Sequence, residues 1–427
     1  MKAALLPISA LLLSVVFLLA ANGLLGVLLP VRALLQEYSS FDIGILGAAY
    51  YGGFGAGCLS GPWLVKRVGH IRTFAAMAAV YGSLCLTFSV LDSTLVWWLA
   101  RTGTGFSVAV LFIVIESWLN ERSTNENRGL IFSVYTAINL TVITVGQMIL
   151  TMASPKEFLL FALAAILVSL SMVPIALSTA VAPAPLKSIR IRLGYLFERS
   201  PVGVVGSLGV GLTNGAFWTM GPIFIQQDSG NASGPAIFMS IAVLAGALGQ
   251  WPLGKLSDRV DRRRVIIGAC VGAMLGAVFL VVASHFLPGT LYLGAIFFGF
   301  FSFPVYALCA AHLNDFVEPD GYVEAISGLL IVFAVGAILG PLIASGLMRI
   351  QGPGGLFMFT AFVHVGIAAY AFYRCQRRDS PLEEERAQFV DTLVMTEIAA
   401  EIDPRPGEQS QPADTEDMIS NSDEEGG

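Results

Sequence analysis

Charge is what this chain has least of. Lys, Arg, Asp and Glu make up 13% of its 427 residues, and there are 4 histidines. So sparse a set offers no convergent nucleophile, base or metal-ligand cluster, and neither metal nor cofactor is expected. A Gly-rich loop of the kind that cradles nucleotide phosphates is also missing, which argues against direct use of ATP. The 5 cysteines, Cys58, Cys85, Cys270, Cys309 and Cys375, show no paired spacing and imply no disulfide framework. No nucleic-acid partner is expected.

What the chain has instead is apolar surface: 55% of its residues are hydrophobic, and its mean hydropathy is +0.74. A chain of this composition lives in lipid. The few charges are also unevenly placed. Residues 375–427 hold 15 acids against 4 arginines, so the acidity belongs to the tail and the body is basic.

A helix crossing the ~30 Å hydrocarbon layer needs roughly 20 apolar residues. Twelve runs meet that need, at 7–30, 41–64, 73–91, 94–119, 130–153 and 157–181, then at 201–226, 235–256, 265–286, 290–313, 322–350 and 356–374. The first resembles a signal peptide but continues to about Pro30 without a cleavage site. Basic residues favour alternate loops: Lys66, Arg67 and Arg72, then Arg122 and Arg128, then Lys187 to Arg199, then Lys255 to Arg264, then Arg374 onward. The other side has Arg32, Lys156 and Arg349. This asymmetry predicts that both termini are cytoplasmic.

Residues 182–200, rich in Pro and basic side chains, divide six runs from six. The expected domains are a first bundle at 1–181, a linker at 182–200, a second bundle at 201–374 and an acidic tail at 375–427. A shift of 194 positions lays Trp118-Leu119-Asn120-Glu121 over His312-Leu313-Asn314-Asp315, Gly105 over Gly299, and Gly146-Gln147 over Gly340-Pro341. Such matches in corresponding runs predict a parallel repeat. The fold class is therefore an all-α membrane protein whose twelve transmembrane helices form two pseudo-symmetric six-helix bundles.

One loop carries the most specific pattern. Gly254, Asp258, Arg259 and Arg262 to Arg264, following Gln250-Trp251-Pro252, resemble the loop signature of the major facilitator superfamily. Glycine lets the helix end tightly, and the Asp can face the positive end of another helix. The group Ile115-Glu116-Ser117, Gly249 to Pro252 and Gly336 with Gly340-Pro341 is similar to the YcaD-like transporters within that family. The resemblance implies a transporter, not an enzyme, moving a small solute by alternating access.

Several residues then become candidates. Arg101 heads Arg101-Thr102-Gly103-Thr104-Gly105, which resembles the superfamily's Arg-x-Gly-x-Gly pattern and implies a part in proton coupling; it could equally be a bolt to neighbouring carbonyls. Glu116, the one acid well inside a run, is the second proton-coupling candidate. A carboxylate in lipid is charged only at a cost, so it could load and release a proton; alternatively it lies at the cytoplasmic interface, hydrogen-bonded to a neighbouring helix or salt-bridged to Arg122 or another loop base. The first-half loop reads Lys66-Arg67 where the family has Asp-Arg, so we expect a charge-swapped gate in which Lys66 meets Glu318, Asp320 or Glu324. Asp258 would mirror it near Arg128. Lys66, Arg67, Gly254, Asp258 and Arg259 are thus the gating residues. Substrate-cavity candidates are Asn22, Asn139, Gln147, Asn214, Trp218 and Tyr306, although isolated amides also join helices. Gly336, Gly340 and Pro341 are expected in helix packing and kinking. They resemble a pattern of drug antiporters whose counterpart in the fifth run is absent here.

In the tail, Ser380-Pro381-Leu382-Glu383 reads as a helix start. Phe389, Val390, Leu393, Val394, Ile398 and Ile402 follow at helical spacing, and from about Asp403 the composition predicts disorder. The expected protein is a monomeric secondary transporter of a small organic solute in a bacterial inner membrane, with the bilayer as its solvent and protons as the candidate coupling ion. An uncoupled facilitator and a sensor signalling through its tail are the alternatives.

Overall fold

The computed structural model describes residues 8–123, 128–177, 193–229, 231, 233–317 and 322–377. The proposed tail helix lies outside them, as do Glu318 and Asp320. The described residues are helical, with no strand among them. The first half holds α1 (Ser9–Leu35), α2 (Ser40–Val68), α3 (His70–Val90), α4 (Thr94–Glu121), α5 (Arg128–Met148) and α6 (Leu159–Ala176). A short α7 (Leu193–Arg199) then leads into the second half: α8 (Pro201–Ser229), α9 (Gly234–Arg259), α10 (Arg262–Phe286), α11 (Leu291–Ser302), α12 (Val305–Asn314), α13 (Tyr322–Gln351) and α14 (Gly355–Cys375).

Ten helical spans are long and apolar enough to cross a membrane, with α11 and α12 counted together as Leu291–Asn314. The two further spans predicted from sequence are α2 and α8, each 29 residues long. Both are glycine-rich, and glycines such as Gly53 and Gly211 let them approach the backbones of neighbouring helices. The predicted run 290–313 is one span in two pieces. Pro304 stands at the start of α12 and has no N–H to continue the ladder, so the helix breaks after Ser302.

The halves pack alike. In the first, α1 lies on α5 and α6, α2 on α4, and α3 on α4 and α6. The second repeats this with α8 on α13 and α14, α9 on α11, and α10 on α11 and α14. Across the molecule α2 meets α13 and α5 meets α9, two interfaces that the repeat exchanges.

Small residues set the closest approaches. A Cβ at Gly336 or Gly340 of α13 would strike the Leu208 or Leu212 carbonyl of α8, and one at Gly211 or Gly215 would strike Phe333 or Ala337 in return. Gly340→Val should therefore force α8 and α13 apart. Overpacking of this kind costs about 1–3 kcal/mol, and a lower melting temperature of the purified protein in mild detergent would register it.

Helix ends are fixed by local chemistry. Ser39 caps α2 through the Asp42 N–H at 3.1 Å while Asp42 accepts from the Ser39 N–H at 3.2 Å, a reciprocal capping box. At the opposite end of α2, Gly69 turns the chain with φ +89°, a conformation side chains disfavour. At this basic-loop end, four basic residues stack on aromatic rings one turn earlier. Arg67 lies 5.3 Å from Trp63, Arg199 5.1 Å from Tyr195, Lys255 5.2 Å from Trp251 and Arg377 5.4 Å from Tyr373. Such pairs suit the headgroup layer, where a ring meets lipid and a charge meets water.

Candidate functional site

Glycine brings α2 and α4 together about Arg101. A Cβ at Gly53 would strike the Thr102 carbonyl and one at Gly105 the Tyr50 carbonyl, so the two backbones touch on either side of the arginine. This places the Arg101 Cζ 4.2 Å from the centre of the Tyr50 ring. The side chain is 9% exposed. Tyr50, Tyr81, Tyr51 and Cys85 face it, and among the described residues its guanidinium has no carboxylate or carbonyl partner. The carbonyl bolt considered from the sequence is thus not what holds it.

An Arg at the centre of a membrane helix costs about 2.5–3.5 kcal/mol on insertion scales. A desolvated cation–π contact returns roughly 2 kcal/mol. Ring contact therefore offsets much of the cost but leaves the N–H donors of the guanidinium unused. Around it, Tyr50 and Tyr81 hydroxyls lie 3.4 and 3.5 Å from Asn22 Oδ1, drawing α1, α2 and α3 to one polar point. Tyr51, 5.3 Å from Tyr50 between ring centres, packs against the second-half cluster that contains Tyr306 and Phe333. The arginine thus sits at the boundary between halves.

The other cavity candidates part company. Asn139 is 4% exposed and donates to the Tyr135 carbonyl at 2.9 Å within its own helix. Gln147 Oε1 accepts from Ser240 Oγ at 3.1 Å and so joins α5 to α9 across the halves. Asn214 is buried on α8, close to the position that the repeat assigns to Asn22. Trp218 is half-buried, with ring centres 6.2 Å from Phe217 and 6.1 Å from Phe303. Tyr306 is buried edge-on to Phe333 at 5.5 Å.

Glu116 lies on α4 far from this cluster. Fifteen residues of helix separate it from Arg101, roughly 22 Å at 1.5 Å per residue. It is buried, and the Tyr135 hydroxyl donates to its Oε1 at 3.4 Å. Its neighbour Ser117 bonds His70 Nε2 at 3.0 Å, tying the ends of α3 and α4.

The loop between α9 and α10 is an ion network. Arg262, 1% exposed in its side chain, bonds Asp315 at 2.9 Å, Asp258 at 3.3 Å and Ser257 Oγ at 3.0 Å. Asp258 thus joins the loop network; the Arg128 side chain, its expected neighbour, lies outside the described residues. Arg263 bonds Asp261 at 2.7 Å and reaches the Arg374 carbonyl at 3.2 Å. Burial works to raise the Asp261 carboxyl, but the hydrogen bonds and charge of Arg263 outweigh it and hold the group below its ordinary value. The stabilisation from that shift is present above the usual carboxylate range and lost as pH falls below it. Gly254 is buried, while Arg259 and, in the first half, Lys66 and Arg67 are exposed at the same end. Lys66 has no ion pair among the described residues.

The sequence reading missed Tyr50, Tyr51 and Tyr81. In a hydropathy pattern a tyrosine is indistinguishable from filler. The available signal was chemical: a buried arginine needs an acid or a π face, and among the described residues no acid pairs with Arg101.

Two bundles related by an internal repeat, meeting along paired interfaces with a polar cluster between them, define a membrane transporter. The family model for the Major Facilitator Superfamily matches residues 11–286 and 203–406, and the chain belongs to that family. It is 24% identical over 359 residues to the uncharacterized MFS-type transporter YcaD of Escherichia fergusonii, covering 84% of this chain and 93% of that one. The YcaD protein of Salmonella newport is 25% identical over 360 residues at the same coverage. Among solved structures, the nucleoside transporter NupG superposes with a TM-score of 0.71, 14% identity and coverage of 85% of this chain and 98% of that one. A bacterial homologue of the lysosomal transporter Spinster, in an inward-facing and occupied conformation, gives 0.67, 15%, 88% and 97%. These structural likenesses are likenesses of fold.

Proposed function

We propose that the chain is a secondary carrier that moves a small organic solute across a bacterial inner membrane by alternating access, as a monomer, with the basic loops and both termini in the cytoplasm. One observation carries this reading: among the described residues, side-chain contacts between the halves gather at the end away from the basic loops. Gly44 and Gly47, in the first turns of α2, press on Ser345 and Thr219. Ser240, near the start of α9, bonds Gln147 at the end of α5. Small residues and the bonds of Ser240 to Gln147 and to the Thr144 carbonyl make a closure that can part and reform. The repeat supplies a second arrangement of the same kind, closed at the other end.

Glu116 is the proton site in this reading. It is a buried acid near the basic-loop end, bonded to a tyrosine of α5, one of the helices that must move. In proteoliposomes with a pH gradient, a panel of labelled solutes should reveal one that accumulates above equilibrium. Glu116→Gln should reduce that accumulation at least tenfold while leaving solute exchange across the membrane intact. Accumulation undiminished in the variant would refute the coupling, and a wild type that moves none of the solutes down their gradients would count against the carrier.

A further inference from the structure

Arg101 is the charge whose chemistry is left incomplete. The buried basic residues of the loop, Arg262 and Arg263, each face an acid. Arg101 is nine-tenths buried and has none among the described residues; its neighbours are Tyr50, Tyr81, Tyr51 and Cys85. Glu116 is too far along the same helix to serve. Beside it, Asn22 accepts from two tyrosine hydroxyls through Oδ1, and its amide nitrogen has no acceptor among the described residues. Both groups lie against Tyr50 and Tyr81, and among the described residues neither set of N–H donors has an acceptor.

We propose that Arg101 is an anion subsite: its guanidinium takes the singly charged head group, carboxylate or sulfonate, of an organic monoanion. The planar fork of an arginine matches the paired oxygens of such a group. One cation at this level suits one negative charge, and a polyvalent anion would bring charge that no second cation among the described residues beside Arg101 neutralises. The body of the ligand is apolar or aromatic, because Tyr50 and Tyr51 stand beside Arg101 and Tyr51 packs on the second-half cluster that contains Tyr306 and Phe333. The subsite rests on the carrier reading for its purpose, since a ligand touching both halves is what would couple binding to their movement.

The test uses the full chain in detergent, with benzenesulfonate as probe and benzenesulfonamide as its uncharged isostere. Phenylglyoxal modifies arginines, and mass spectrometry of the peptide containing Arg101 gives the rate at this position. Benzenesulfonate should slow that rate at least fivefold, and benzenesulfonamide should leave it within a factor of two. Equal protection by both, or by neither at millimolar concentration, overturns the subsite. This readout needs no variant, so it stands even if Arg101→Gln fails to fold. Where Arg101→Gln and Arg101→Lys do fold, equilibrium dialysis should show at least tenfold weaker benzenesulfonate binding in the first and a smaller loss in the second. Equal binding by wild type and Arg101→Gln would also overturn it. The carrier reading is tested separately in the same preparation by whether cysteines placed at 44 and 345 come apart and rejoin. Protection with halves that never part removes the carrier and keeps the subsite, and the reverse pattern removes the subsite alone.

Discussion

Oxidising a Gly44→Cys/Ser345→Cys variant is expected to cut solute flux below a tenth of the reduced protein's rate, with full recovery on reduction. A Cβ built at Gly44 lies 2.8 Å from the Ser345 Cβ. A disulfide needs about 3.8 Å between these atoms, so α2 and α13 have only to part by about 1 Å. The bond would join the halves at the end already closed and leave the basic-loop end as it is. A carrier so tied can receive solute from one side only. The background for this experiment replaces Cys58 and Cys375, which are partly accessible; Cys85, Cys270 and Cys309 are buried. Flux that survives complete cross-linking would mean that this closure is not part of the transport cycle.

The second large effect is expected at Arg262. Removing one member of a buried ion pair costs about 3–5 kcal/mol, because the buried partner loses the charge that compensated it. Asp315, whose side chain is 2% exposed, is that partner. Arg262→Leu should therefore lower the melting temperature sharply, and the further change Asp315→Leu should recover much of the loss, since a matched apolar pair can replace a buried ionic one. If the double variant is as unstable as the sum of the singles, the two residues do not act as a pair.

These expectations differ in how far the sequence could have supplied them. Hydropathy and spacing were enough for the membrane spans and the repeat, because lipid imposes length and apolarity on each helix separately. The Gly254 to Arg264 signature named the residues of one loop. It could not show that Arg262 reaches Asp315, 53 positions away, because that pairing depends on how α10 is set against α12. Pro304 was visible inside its run, yet a length criterion passes over it, and only the packing shows that the span breaks there. Gln147 and Asn139 looked alike as amides about two turns apart on one helix. One crosses to α9 and the other folds back on its own backbone, a difference set by helix rotation. Around Arg101 the glycine pattern marked a close approach without saying which residue it would press against the charge.

The ring and charge pairs at the ends of α2, α7 and α9 and just past α14 bear on something other than chemistry. They float the protein at one level, as a waterline fixes a hull, and both halves carry such floats. On the carrier reading proposed above, halves held at that level would travel most at the opposite face. Lipid tail length would then be a mechanical control on the proposed cycle: shorter tails would bring the far headgroups down onto the ends that swing, and the opening there should shift with bilayer thickness.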